Sequence, residues 1–147
     1  MMGEQSTEVG SVITRERLFD LERAMIQMPQ VALRLEHYFS DGVYARELHI
    51  PKGTLLTGKI HKYANLNIVS KGDVSVLIDG QIKRVQAPFT LVAPPGAKRI
   101  IYAHEDSIWT TIHCTDETDL DKIEAHFTAV SETEYLAFCD TLRLEGE

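Results

Sequence analysis

The chain has 147 residues, 44% of them apolar and 25% charged, with nine Gly and five Pro, the composition of one globular domain and of neither a disordered nor a collagenous chain. A chain of this length buries roughly two thirds of its unfolded surface, so it needs no disulfide framework or structural metal, and Cys114 and Cys139 read as reduced thiols. The formal charge of −7 divides unevenly, with ten basic and seven acidic side chains over residues 31–114 but two and ten over 115–147, which excludes the broad basic face of a nucleic-acid polymer binder and leaves room for a small anion.

No apolar run approaches the ~20 residues of a membrane span, and Met1-Met2-Gly3-Glu4-Gln5 lacks the basic then apolar pattern of a signal peptide. A cytoplasmic protein with no membrane partner is expected.

In chain order, residues 14–27 place Leu18, Leu21, Met25 and Met28 at the spacing of a short amphipathic helix, stopped by Pro29. From residue 31 the pattern changes to short β-like runs at 44–50, 55–62, 66–70, 74–78, 90–93, 99–103 and 107–113. Turn residues separate them: Asp41-Gly42, Pro51-Lys52-Gly53, Lys71-Gly72-Asp73, Asp79-Gly80, Pro94-Pro95-Gly96 and Glu105-Asp106. This punctuation is too frequent for helices between strands, so a βαβ sheet is excluded and an antiparallel sandwich or barrel is favoured. The run from Val74 to Ile82 reads as a hairpin about the Asp79-Gly80 turn. After residue 115 the signals are helical, with Thr118 three residues before Asp121 and Ser131 three before Glu134, the second a capping box. Tyr135, Phe138, Cys139 and Leu142 form one face of the last helix, which needs the outside of the sheet or a second subunit to pack on. The expected fold is mainly β, one domain with an N-terminal arm and helix over 1–30, a β-barrel over 31–114 and two helices over 115–147. The two helical stripes predict a homodimer or higher homo-oligomer.

Residues 53–72 and 88–103 resemble the two signature motifs of the cupin superfamily, whose fold is a jelly-roll barrel. The first motif maps onto Gly53, Lys59-Ile60-His61, Asn65 and Gly72 with every spacing kept; the second maps onto Pro88, Pro94-Pro95-Gly96, Arg99 and Ala103. Gly and Pro at these places serve the turns of the frame. In a metal-binding cupin, two His and a Glu of the first motif and a His of the second would converge on a divalent ion. Here those positions read Lys59, His61, Asn65 and Arg99. Lys and Arg have no lone pair to donate at neutral pH and Asn is a weak ligand, so neither metal nor other cofactor is expected. More loosely, residues 45–54, 67–73 and 109–113 are similar to small cupin-type proteins of tailed bacteriophages, which implies a protein made in an infected bacterium and names no reaction.

Strand alternation in the cupin register turns Lys59, His61, Asn65, Asn67 and Arg99 inward. Two cations, an imidazole and two carboxamides among aliphatic walls form a site for a small anion such as a nucleotide or phosphorylated metabolite. In a phage, such binding would sequester a host signal. Two other readings compete: an acid-base isomerase or epimerase using His61 and a Tyr such as Tyr63, and a structural or interaction protein with a filled barrel. Ser70 and Lys71-Gly72-Asp73 carry no nucleophile-elbow or phosphate-loop pattern.

Overall fold

The computed structural model describes residues 14–78 and 80–145. The expectations placed on residues 1–13 and on Asp79 lie outside these. Helix α1 (Arg15–Ile26) starts at Thr14, whose side chain accepts from the Arg17 amide at 3.2 Å, the N-cap geometry that a hydroxyl residue favours. Leu18 is its buried residue, while Met28 lies past the helix end and is exposed. Glu22 on the same helix accepts from Thr57 Oγ1 and from Lys98 Nζ, which ties α1 to the barrel.

The barrel consists of β1 (Arg34–Ser40), β2 (Val43–Ile50), β3 (Leu55–Thr57), β4 (Ile60–His61), β5 (Asn65–Lys71), β6 (Asp73–Ile78), β7 (Gln81–Gln86), β8 (Phe89–Ala93), β9 (Ile100–Ala103) and β10 (Ser107–Cys114). One antiparallel sheet has the order β1-β2-β10-β5-β8 and the other β3-β9-β6-β7. Between them Leu48, Ile50, Val69, Val74, Val76, Ile101, Ala103 and Trp109 form the core. This is the mainly β jelly-roll architecture expected, with one helix before it and two after. The β6–β7 register pairs Ile78 with Gln81, so the turn between them has two residues, as expected, and Gly80 takes φ 79°.

Strands β1, β3, β4 and β7, and one strand of the C-terminal segment, differ from the sequence reading. Strands β1 and β7 were not anticipated as full elements because they are sheet edges bearing charged residues, Arg34 and Glu36 on one and Lys83 and Arg84 on the other. Charges on edge strands hinder stray pairing and blur the alternation that marks a strand. The run 55–62 breaks at Gly58 into β3 and β4, and β4 leaves the main sheets to pair with β11 (Thr128–Ala129) from the C-terminal segment. That segment also holds α2 (Leu120–Phe127), capped by Asp119 rather than Thr118, and α3 (Glu132–Glu145), whose Glu134 amide donates to Ser131 Oγ at 3.1 Å. The α3 face packs Phe138 against Tyr63 and Tyr135 against Gly96, while Leu142 stays exposed. Among the described residues no helix is long and apolar enough to cross a membrane.

Candidate functional site

A cavity of about 450 Å³ opens into one end of the barrel, between β2, β10, the β3–β4 segment and helix α2. Strand alternation builds two of its walls: β2 turns Tyr44, Arg46 and Leu48 toward it, and β10 turns Trp109, Thr111 and His113. Ile123 and Phe127 of α2 close one side.

His61, Asn65 and Arg99 come together as the motif spacing implies. The Arg99 guanidinium donates to His61 Nε2 at 3.1 Å and to Asn65 Oδ1. Asn67, fully buried, donates to Asn65 Oδ1 at 2.8 Å, and its own Oδ1 accepts from Trp109 Nε1 at 3.0 Å and Thr111 Oγ1 at 2.9 Å. Asn65 and Asn67 do not line the cavity. They form a row behind it, hydrogen-bonded to Arg99, Trp109 and Thr111.

A guanidinium has only donors, so His61 Nε2 accepts and the ring proton sits on Nδ1. That Nδ1 is buried without a partner, as is Arg99 Nε. Burial, then the Arg99 charge, pushes the His61 pKa down to about 3. His113 is brought to about 4 by the same two causes in the same order. Arg99 itself falls to about 10, through burial and then through Arg46. His113 stacks between Phe127 at 4.3 Å and Tyr44 and His61 at 6.1 Å, and Tyr44 shares a 2.8 Å hydrogen bond with His37.

Lys59 does not join this group. It reaches the cavity rim, stays exposed and pairs with Glu124 of α2, because the chain leaves the sheet at Gly58 and strand alternation no longer holds across 59–61. The second free cation of the cavity is Arg46, which makes no ion pair or hydrogen bond among the described residues. The sequence signal for it was available: Arg46 alternates with Leu48 and Ile50 on the expected strand 44–50. Tyr63 packs among His126, Phe127 and Phe138 and does not line the cavity, so it is not brought to His61 as an acid partner. Cys114 and Cys139 are free thiols.

The divalent ion implied by the cupin motif does not fit these side chains. The His61 lone pair and the Asn65 carbonyl oxygen both face the Arg99 guanidinium, so a cation already sits where the ligands would converge. No group of three or more His, Cys, Asp or Glu able to hold a metal occurs among the described residues.

No protein-family model and no curated protein matches the sequence. Among solved structures, KdgF from a Halomonas species superposes with a TM-score of 0.52 at 16% identity, over 65% of this chain and 90% of that one. A cupin superfamily protein from Desulfitobacterium hafniense gives a TM-score of 0.50 at 15% identity, over 63% and 86%. Likeness at such identities concerns architecture alone, and in architecture this chain has the cupin fold.

Proposed function

We propose that the barrel binds a small anion, of the class of a nucleotide or other phosphorylated metabolite, without a metal. The observation that carries this reading is the pair Arg46 and Arg99, two guanidiniums lining one cavity with no acidic partner among the described residues. Arg99 is buried and has given up hydration, while Arg46 stands exposed on the cavity wall; the two like charges repel, and a bound anion would relieve both costs. The His61 Nδ1 proton, buried without an acceptor, adds a donor that a ligand oxygen would satisfy. Donors without acceptors match phosphate or carboxylate, which only accept.

The acid-base reading has less support. The one lone pair of His61 is engaged by Arg99, and a pKa of about 3 leaves a weak base at neutral pH. A filled barrel is disfavoured by the cavity itself. If the chain serves a phage, uptake of a host signal molecule is the role consistent with binding without turnover.

A thermal-shift screen over nucleotides and sugar phosphates tests the proposal. A ligand present at 100 times its dissociation constant should add about 2.7 kcal/mol of stability. Absence of any hit across a broad anion library would overturn it, and conversion of a hit into product would replace binding by catalysis.

A further inference from the structure

Strand β1 stands at an edge of the five-stranded sheet and pairs with β2 alone. Ser40 and Val43 close the two-residue turn Asp41-Gly42, which makes them a hydrogen-bonded pair of the ladder. By alternation Arg34, Glu36 and Tyr38 direct their backbone groups to β2, and Leu35, His37 and Phe39 direct theirs to the open edge. This edge is apolar for one that faces water. Val31, Leu35, Tyr38 and Phe39 are all exposed, and an exposed apolar edge invites a further strand. The other sheet edges suit a copy of themselves less well: β7 carries Lys83 and Arg84 and no acidic residue, β8 has five residues bounded by Pro88 and Pro94, and β3 has three.

The side chains of β1 select both a partner and a register. Arg34 and Glu36 share the outer face and lie 3.0 Å apart. Antiparallel pairing with a second β1, about a two-fold axis at Leu35, sets Arg34 against the partner's Glu36 and Glu36 against the partner's Arg34, while Leu35 meets the partner's Leu35 on the inner face. Continued along the chain, the same register sets Tyr38 against the partner's Ala32 and Phe39 against the partner's Val31. An axis at Arg34 or at Glu36 would put like charges face to face, and one at His37 would leave the charges opposite Ser40 and Tyr38. The charges that hinder stray pairing therefore favour one register over its neighbours.

We propose that β1 is the docking edge for a second copy of this chain, joined antiparallel about Leu35 so that the two five-stranded sheets become one. Leu35 and His37 also line the anion cavity, so each copy lays its Leu35 beside the cavity wall of the other. The interface uses neither Arg46 nor Arg99 and does not depend on what the cavity binds.

Light scattering over a concentration series is run on the full chain, on Arg34→Glu, on Glu36→Arg, on an equimolar mixture of these two variants, and on the double exchange, with unfolding midpoints to show that each is folded. The parent should be dimeric. Either single exchange should weaken self-association at least about tenfold, because like charges then face each other on both sides of the axis. The mixture should dimerise again, since the acidic pair of one variant meets the basic pair of the other, and the double exchange should recover the parent dimer. A monomeric parent, single exchanges that dimerise as the parent does, or a mixture of folded variants that stays monomeric would overturn the proposal. So would a dimer that Leu142→Asp removes and both single exchanges keep, which would put the interface on α3. Absence of any hit in the anion screen leaves these outcomes unchanged, so the two proposals fail separately.

Discussion

Replacing Arg99 by Gln distinguishes a guanidinium held for a ligand from one held for the fold. The side chain is buried, and burial, then the Arg46 charge, lowers its pKa to about 10. Keeping it charged in the empty barrel therefore costs roughly 3 kcal/mol, at 1.36 kcal/mol per pKa unit. On the other side stand its hydrogen bonds to His61 Nε2 and Asn65 Oδ1, each worth about 1.5–3 kcal/mol when one partner is charged. A Gln amide can still donate to one of these acceptors. The opposing effects nearly cancel, and the ligand-free variant should lie within about 1.5 kcal/mol of the parent, whereas breaking a buried structural ion pair costs about 3–5 kcal/mol. Binding responds differently. Removing one charge-assisted contact should weaken the anion at least about tenfold, or ~1.4 kcal/mol. Urea unfolding with chloride as the sole anion, repeated with a fixed concentration of a nucleotide or sugar phosphate that binds the parent, measures both quantities. A ligand-free loss above about 3 kcal/mol together with an unchanged anion response would refute the reasoning and make Arg99 a structural strut.

Four further outcomes are expected. His61 and His113 are held at about 3 and about 4, mainly by burial, against an ordinary 6.5, so below pH ~6.5 the unfolded chain binds protons that the folded chain does not. Stability should be level above that pH and fall toward pH 4 by up to about 1.4 kcal/mol per pH unit per histidine, and urea midpoints for His61→Asn should show a flatter slope. Gly72→Ala should lose about 3 kcal/mol or more, since φ is 101° and the new Cβ would meet Ser107 Oγ at 2.0 Å and Asp106 O at 2.7 Å; unchanged stability would mean that the turn yields. Lys59→Met removes a half-exposed ion pair with Glu124 and should change stability by less than about 1 kcal/mol, with a smaller loss of anion binding than Arg46→Met in the same titration. Light scattering should give a dimeric or larger mass, because Tyr38 and Phe39 on edge strand β1 and Leu142 and Leu144 on α3 are exposed; a monomer at tens of micromolar would refute this.

What the sequence revealed of the fold follows from where its punctuation is strong. Gly42, Gly53, Gly72, Gly80 and Gly96 all take positive φ, and the strands between them were placed to within a residue or two at most ends. Strands at sheet edges were harder to see, because a strand paired on one side is permitted charges on both faces and so loses its alternation. For the two-residue pair β4–β11, β4 falls inside the expected run 55–62, but nothing local marks its departure from that run. Its partner lies more than sixty residues away in a segment read as helical, and only tertiary packing defines it.

The site divides along the same line. His61, Asn65 and Arg99 were legible because the motif fixes their places relative to turns that the glycines and prolines enforce, and each falls where its strand or turn delivers it. Lys59 departs from the expected inward face because alternation does not carry across Gly58, where there is no strand to alternate. Arg46, His113 and Phe127 come from outside the motif, and what unites them is a cavity that exists only after β2, β10 and α2 have met. Their convergence has a physical consequence that composition by segment only hinted at. The mild positive balance of residues 31–114 is divided: Lys98 pairs with Glu22, Arg84 with Asp73 and Lys59 with Glu124, Lys71 and Lys83 stand exposed to solvent, and Arg46 and Arg99 line one cavity with no acidic partner among the described residues. Pairing cancels the field of the first group beyond a few ångströms and solvent screens the exposed lysines, whereas buried Arg99 sits between low-dielectric walls that concentrate its field. Under the proposed function, an anion reaching the barrel mouth would meet these two guanidiniums, which have no acidic counter-ion among the described residues.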